Sequence, residues 1–168
     1  MRRLAMGVSL VLAMLALIPS VAIARGPQKN DSVSGHGFVV VGPTTTYEFR
    51  VSAHTISSTT TAATGNMYIK AVSTDPTSPF NVEIWADAYC VSVVGLLAEV
   101  RGHIYRTEPD LLEDPTDLIF DVADASALTG GPDLFGATTS ELPEPCVAPT
   151  LAPLNEVAKG DIRVNSEL

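Results

Sequence analysis

Basic residues are scarce in this chain. Its 168 residues hold 10 Lys and Arg against 19 Asp and Glu, a formal charge of −9. Such a surface repels phosphate backbones, so nucleic-acid binding is disfavoured. Cysteine is scarcer still, with Cys90 and Cys146 alone. They lie far apart, with no Cys-x-x-Cys or His-x-x-x-His spacing, which argues against a metal site. No glycine motif cradles a phosphate or dinucleotide at a strand-to-helix turn. No Gly-x-Ser-x-Gly elbow supports a serine hydrolase. No cofactor is implied. Beyond the N-terminal stretch no long apolar run, amphipathic helix or internal repeat can be read.

What is present begins with Arg2 and Arg3, an apolar run from Leu4 to Ile18, and the small-residue sequence Ala22-Ile23-Ala24. A basic segment, an apolar segment and an A-x-A site read as a secretory signal peptide, residues 1–24, cleaved after Ala24. The run falls short of the roughly 20 residues of a membrane span. No membrane span is expected after cleavage, and the mature chain is expected to be secreted and extracellular. Residues 25–30 form a short polar leader, and 31–166 one domain. Losing Arg2 and Arg3 makes the chain still more acidic. In an oxidising compartment the two cysteines most simply form a Cys90–Cys146 disulfide.

From Ser32 onward the pattern has period 2. Tyr47, Phe49, Val51 and Ala53 alternate with Glu48, Arg50, Ser52 and His54. Alternation puts the two sets on opposite faces of a strand, whereas a helix would scatter them. Val82, Ile84, Ala86 and Ala88 alternate with Glu83, Trp85, Asp87 and Tyr89, after which the apolar character is continuous to Val94. Beyond Gly95, Ala98, Val100, Gly102 and Ile104 alternate with Glu99, Arg101, His103 and Tyr105. The two arms predict a long hairpin at the centre of the domain. Gly35 and Gly37 in the first strand predict a bulge or a close backbone approach. Further strands are expected at 66–72, 117–124, 134–139 and 157–165. Gly130-Gly131-Pro132-Asp133 and the Pro-rich segment from Pro143 to Pro153 read as connections. Roughly seven or eight strands with frequent turns predict an all-β fold, an antiparallel β-sandwich or small β-barrel.

The string from Cys90 to Gly102, CVSVVGLLAEVRG, resembles a signature of small secreted all-β proteins common in bacteria. There a Cys-bearing strand meets a tight turn and an Ala-x-Val-x-Gly return strand. Asp31-Ser-Val-Ser-Gly-His-Gly, Phe120-x-Val-x-Asp and Gly160-Asp-Ile-Arg-Val are similar to that group as well, and together these cover most of the mature chain. Leu96-Leu97 departs from the usual polar turn. The group carries no established activity, so the resemblance implies a fold and a compartment and no site.

Three sets of side chains are candidates for chemistry. Glu48/Arg50/Ser52/His54 and Glu99/Arg101/His103/Tyr105 are polar strand faces. Lining the lumen of a barrel, they would offer His54 or His103 as general base beside Glu99, the constellation of a small hydrolase or cyclase. On a solvated wall they would make cross-strand ion pairs and nothing more. Trp85 with Tyr89 would form an aromatic platform for a protein or carbohydrate ligand, with Arg101 and Tyr105 as further contacts. Buried under a loop, Trp85 would be an ordinary packing residue. Asp110, Asp114 and Asp117 lie in an acidic loop with oxygen ligands for a hard cation, though without the ordered spacing of a calcium loop. Weighed together, these features favour a secreted, non-catalytic binding or structural domain.

Overall fold

In the computed structural model, residues 30–57, 60–109, 117–142, 144–149 and 154–166 are described. They form eight strands and one short helix: β1 (Ser32–Val41), β2 (Thr45–Thr55), β3 (Ala62–Ser73), β4 (Phe80–Val94), β5 (Leu97–Glu108), β6 (Asp117–Ala123), α1 (Ala125–Thr129), β7 (Leu134–Ser140) and β8 (Asn155–Asn165). Each strand pairs antiparallel with the next, and β8 pairs back onto β1, so one sheet closes into a ring. The expected all-β class holds. The central hairpin is β4–β5, turned at Gly95 and flanked by β3 and β6. The expected signal peptide and most of the expected leader lie outside the described residues.

Alternation dictates which side chains fill the ring. Phe49, Val51, Ala53, Met67, Ile69, Ala98, Val100, Phe120 and Phe135 are all buried and point inward. Phe49 stacks on Phe135 at 3.9 Å between centroids, and Phe120 meets Phe135 edge-on at 4.9 Å. Offset and edge-to-face contacts of this kind are favourable beyond the area they bury. Gly37 makes room for them: a Cβ there would lie 2.7 Å from the Phe49 ring. The predicted close backbone approach is at Gly35, where a Cβ would lie 2.8 Å from the Asp161 carbonyl oxygen, and a register shift against β8 follows at Phe38/Val39.

Two bulges set the geometry of the outer wall. On β4, Ala88 pairs with Gly102 and Cys90 with Arg101, leaving Tyr89 without an opposite number. An extra residue in one strand shifts its alternation by one. The inward set on β4 therefore changes from Ala86 and Ala88 to Val91, and the continuous apolar run from Cys90 to Val94 is this change of phase. On β5, Tyr105 is the extra residue, between Ile104 opposite Ala86 and Arg106 opposite Trp85.

The ring closes differently at its last seam. β7 and β8 share two paired positions, Leu134 with Glu156 and Phe135 with Asn155. Beyond them, carboxylates replace a strand. Asp133 accepts from the Ile162 N–H at 2.8 Å and from the Ser126 N–H at 3.0 Å. Asp124 caps α1 through the Ala127 N–H and reaches the Val164 N–H at 3.5 Å. Both aspartates are buried, which is tolerable because each is fully engaged with backbone donors.

Candidate functional site

Because the interior is apolar, the chemistry-bearing side chains stand on the outer wall. Cross-strand register lines several of them up. Arg50 on β2 is opposite Tyr68 on β3, Tyr68 is opposite Trp85 on β4, and Trp85 is opposite Arg106 on β5. In the other direction Arg50 is opposite His36 on β1, and His36 is opposite Asp161 on β8. One row thus crosses six strands. The Tyr68 and Trp85 rings lie 5.4 Å apart, tilted by 50°. The Arg50 guanidinium sits 5.7 Å from the Tyr68 ring and that of Arg106 sits 4.4 Å from Trp85. Attraction between a cation and a ring face holds each arginine over its neighbour.

The flanking rows differ in height and charge. On one side, Glu48 bonds Arg50 at 2.9 Å, Glu83 bonds Lys70 at 2.8 Å, and Glu108 bonds Arg106. Glu83 also accepts from the Tyr68 hydroxyl at 3.0 Å. The bond from Lys70, then that from Tyr68, holds the Glu83 carboxyl below its ordinary range. Burial, then the bond to Glu83, pushes Tyr68 up to about 12. On the other side stand Ser34, Ser52 and Asn66, which are short. Two concavities lie along the row, on opposite flanks of it. One of about 1100 Å³ is bounded by His36, Phe38, Glu48, Arg50, Lys159 and Asp161. One of about 290 Å³ is bounded by Ser52, Asn66, Tyr68, Trp85 and Tyr105.

A second polar group covers the outer faces of β4, β5 and β6, beneath residues 144–149. Cys90 is bonded to Cys146, as expected from the sequence. Arg101 donates to Glu99 at 2.7 Å and to Glu144 at 3.1 Å, and the Val147 N–H donates to Glu99 at 3.1 Å. Glu99 and Arg101 are about 5 % exposed, although they sit on the outer wall. The bond to Glu99 is the main reason the Arg101 guanidinium is held above its ordinary range. Beside them, Asp121 is opposite Glu99 and has a buried oxygen without a hydrogen-bond partner. Desolvation, reinforced by the Glu99 charge, pushes its carboxyl up to about 6. Tyr89 is directed at Asp117, with the Glu144 carbonyl 2.8 Å away. Burial, then the bond to Asp117, pushes its phenol up to about 12. His103 Nδ1 lies 2.8 Å from the other Asp117 oxygen, and its ring stacks on Tyr89 at 4.4 Å. With an acceptor there, the neutral imidazole carries its proton on Nδ1.

The sequence candidates therefore separate. Glu99, Arg101 and Tyr89 come together beneath the disulfide-tied segment, with Asp117 buried beside them and His103 exposed at their edge. Trp85 and Tyr105 belong to the other surface. Trp85 does not pair with Tyr89: four residues of strand put them roughly 13 Å apart, and each takes a cross-strand partner instead, Trp85 the ring of Tyr68 and Tyr89 that of His103. His54 is exposed on β2, opposite Ser32 and Thr64, and apart from His103. The polar faces do not line a lumen, because the apolar sets claim the interior. Asp110 and Asp114 lie outside the described residues. Asp117 is buried and engaged by Tyr89 and His103. Among the described residues, no three His, Cys, Asp or Glu side chains are placed to share a metal ion.

Comparison with known proteins gives no match to a family model, a curated protein or a solved structure. Among the described residues no helix is long and apolar enough to cross a membrane.

Sequence reading passed over Tyr68, Asp121 and Glu144. Tyr68 sits in the alternating strand β3, and its importance comes from register with Trp85, which period alone does not reveal. Glu144 lies in a Pro-rich connection whose one readable anchor was Cys146.

Proposed function

We propose that this chain is exported, loses residues 1–24, and acts outside the cell as a non-catalytic binding domain built on a small β-barrel. The disulfide fits an oxidising compartment. The observation that carries the binding role is the row of Arg50, Tyr68, Trp85 and Arg106. It puts aromatic rings and hydrogen-bonding groups on a wall whose interior is already filled by side chains. Aromatic residues and arginine are the side chains that dominate recognition surfaces. An enzyme using His54 or His103 has less support, since the two imidazoles stand on β2 and β5 with β3 and β4 between them.

The test is a thermal-shift screen of the mature protein against soluble glycans, synthetic peptides and small metabolites. Any hit is then recovered and weighed by mass spectrometry. A ligand that binds the folded state raises the melting temperature by mass action. The expected result is a stabilising ligand recovered unchanged. A ligand recovered as a hydrolysed or cyclised product overturns the non-catalytic role, and a screen with no stabilising compound overturns the binding role.

A further inference from the structure

We infer that the row Arg50–Tyr68–Trp85–Arg106, continued through His36 to Asp161, is the binding surface for a neutral polysaccharide chain lying across the strands. This rests on the binding role proposed above and names its ligand class.

Shape is the first support. The row crosses six of the eight strands of the ring, an arc of roughly 24 Å along the curved wall at the usual spacing of about 4.8 Å. It stands above the low shelf of Ser34, Ser52 and Asn66; a concavity opens on that shelf beside Trp85, and another opens at His36 on the opposite flank, beside Phe38, Glu48 and Lys159. An elongated, shallow site suits a polymer better than a compact metabolite, for which enclosed pockets are the rule.

Surface chemistry is the second. A sugar ring presents a C–H face that packs on an aromatic ring, and a rim of hydroxyls that need donors and acceptors. Tyr68 and Trp85 offer the first partner once the exposed Arg50 and Arg106 side chains swing off their faces. Asn66, Ser52, His36 and Asp161, all exposed, offer the second. Met67 and Val51, the residues between, are buried in the core, so the shelf itself is rigid.

Charge decides between ligand classes. Arg50, Lys70, Arg106 and Arg163 are each matched by a carboxylate, Glu48, Glu83, Glu108 and Asp161 respectively. Lys159 adds one further cation on β8. The surface therefore carries little net field to attract a polyanion, and the formal charge of −9 on the whole chain opposes one. A peptide added as a strand is disfavoured for a different reason. Strands β1 to β5 each have two neighbours in the ring, so no free edge is offered there for strand addition.

The experiment is native affinity electrophoresis of the mature protein in gels containing a β-glucan, an α-glucan, a mannan or a xylan. Parallel lanes contain an anionic polyuronate. Trp85 is the chain's one tryptophan, so its emission is recorded with the same polymers and with a mixed synthetic peptide pool. Retardation by at least one neutral polysaccharide is expected. Trp85→Ala and Arg106→Ala should weaken it about tenfold or more, and His54→Ala should leave it unchanged. Asn66→Arg, which fills the exposed shelf without touching the core, keeps the test sound if Trp85→Ala misfolds. Retardation that survives Asn66→Arg and Arg106→Ala overturns the location. An emission change with the polyuronate or the peptides alone overturns the ligand class and leaves the binding role standing. No response to any probe overturns both.

Discussion

The Asp133 carboxylate accepts the Ile162 backbone N–H at 2.8 Å, and with this bond the ring closes where strand pairing has stopped. The same carboxylate holds the Ser126 N–H. A side chain therefore does the work of a missing strand. Asp133→Ala leaves two backbone donors without this partner, one of them on a buried residue, and should cost about 2–4 kcal/mol. Asp133→Asn keeps one acceptor and should cost less. Urea denaturation of the three proteins gives the comparison, and equal midpoints would show that the seam does not depend on this bond.

Glu99 and Arg101 form a buried pair under residues 144–149. Removing one partner strands a charge, so Arg101→Ala should destabilise the domain by about 3–5 kcal/mol. The double change Glu99→Leu with Arg101→Met should recover most of that loss, because well-packed apolar residues often replace a buried ion pair at little cost. A double variant no more stable than Arg101→Ala would point to a role in positioning Glu144 and Val147 that packing cannot supply.

Asp121 makes stability depend on pH in a defined direction. Its carboxyl stays protonated up to about 6 in the folded state, against about 3.9 for an unperturbed aspartate. Between those values the folded state binds more protons, so stability falls as pH rises through the window. The stabilisation is fully present below pH 4 and gone above about 6, a difference of about 3 kcal/mol for the full shift and on the order of 2 kcal/mol after solvent screening of this half-exposed group. Asp121→Asn should flatten this component of the pH profile and raise the melting temperature at pH 7. An unaltered slope between pH 4 and 6 in the variant would assign that dependence to other groups.

Cys90 and Cys146 are 56 positions apart. A loop of this size predicts a stabilisation of about 4 kcal/mol from restriction of the unfolded chain. The double change Cys90→Ser with Cys146→Ser should lose about that much and make residues 144–149 a preferred site of limited proteolysis. Thiol labelling of the native protein should find no reactive cysteine, and two labelled thiols would refute the bond.

Much of the wall was legible before the structure. Alternation in 46–54 and 98–104 assigned the right faces, Gly35 announced a close backbone approach, and the two cysteines announced their bond. Orientation of the polar faces was harder. Glu99 and His103 were candidates for a lumen, but Phe49, Phe120 and Phe135 fill the interior and turn those faces outward. Bulges were harder still. One unpaired residue at Tyr89 shifts the alternation of β4, and a continuous apolar run gives no sign of where the phase slips. Asp124 and Asp133 read as turn residues beside Gly130-Gly131. Nothing local shows that their carboxylates reach strand β8, about 30 positions away at Ile162.

The strands at the two ends of the domain lie side by side, with Ser32 opposite Asn165. Tension applied at the two ends would open the β1–β8 ladder one bond at a time from that rim, like a zipper. The chain between Cys90 and Cys146 would not lengthen. Its covalent clasp keeps roughly 190 Å of contour out of reach of the pull. Under load the molecule would thus have two lengths, a short one while the disulfide is intact and a longer one after reduction.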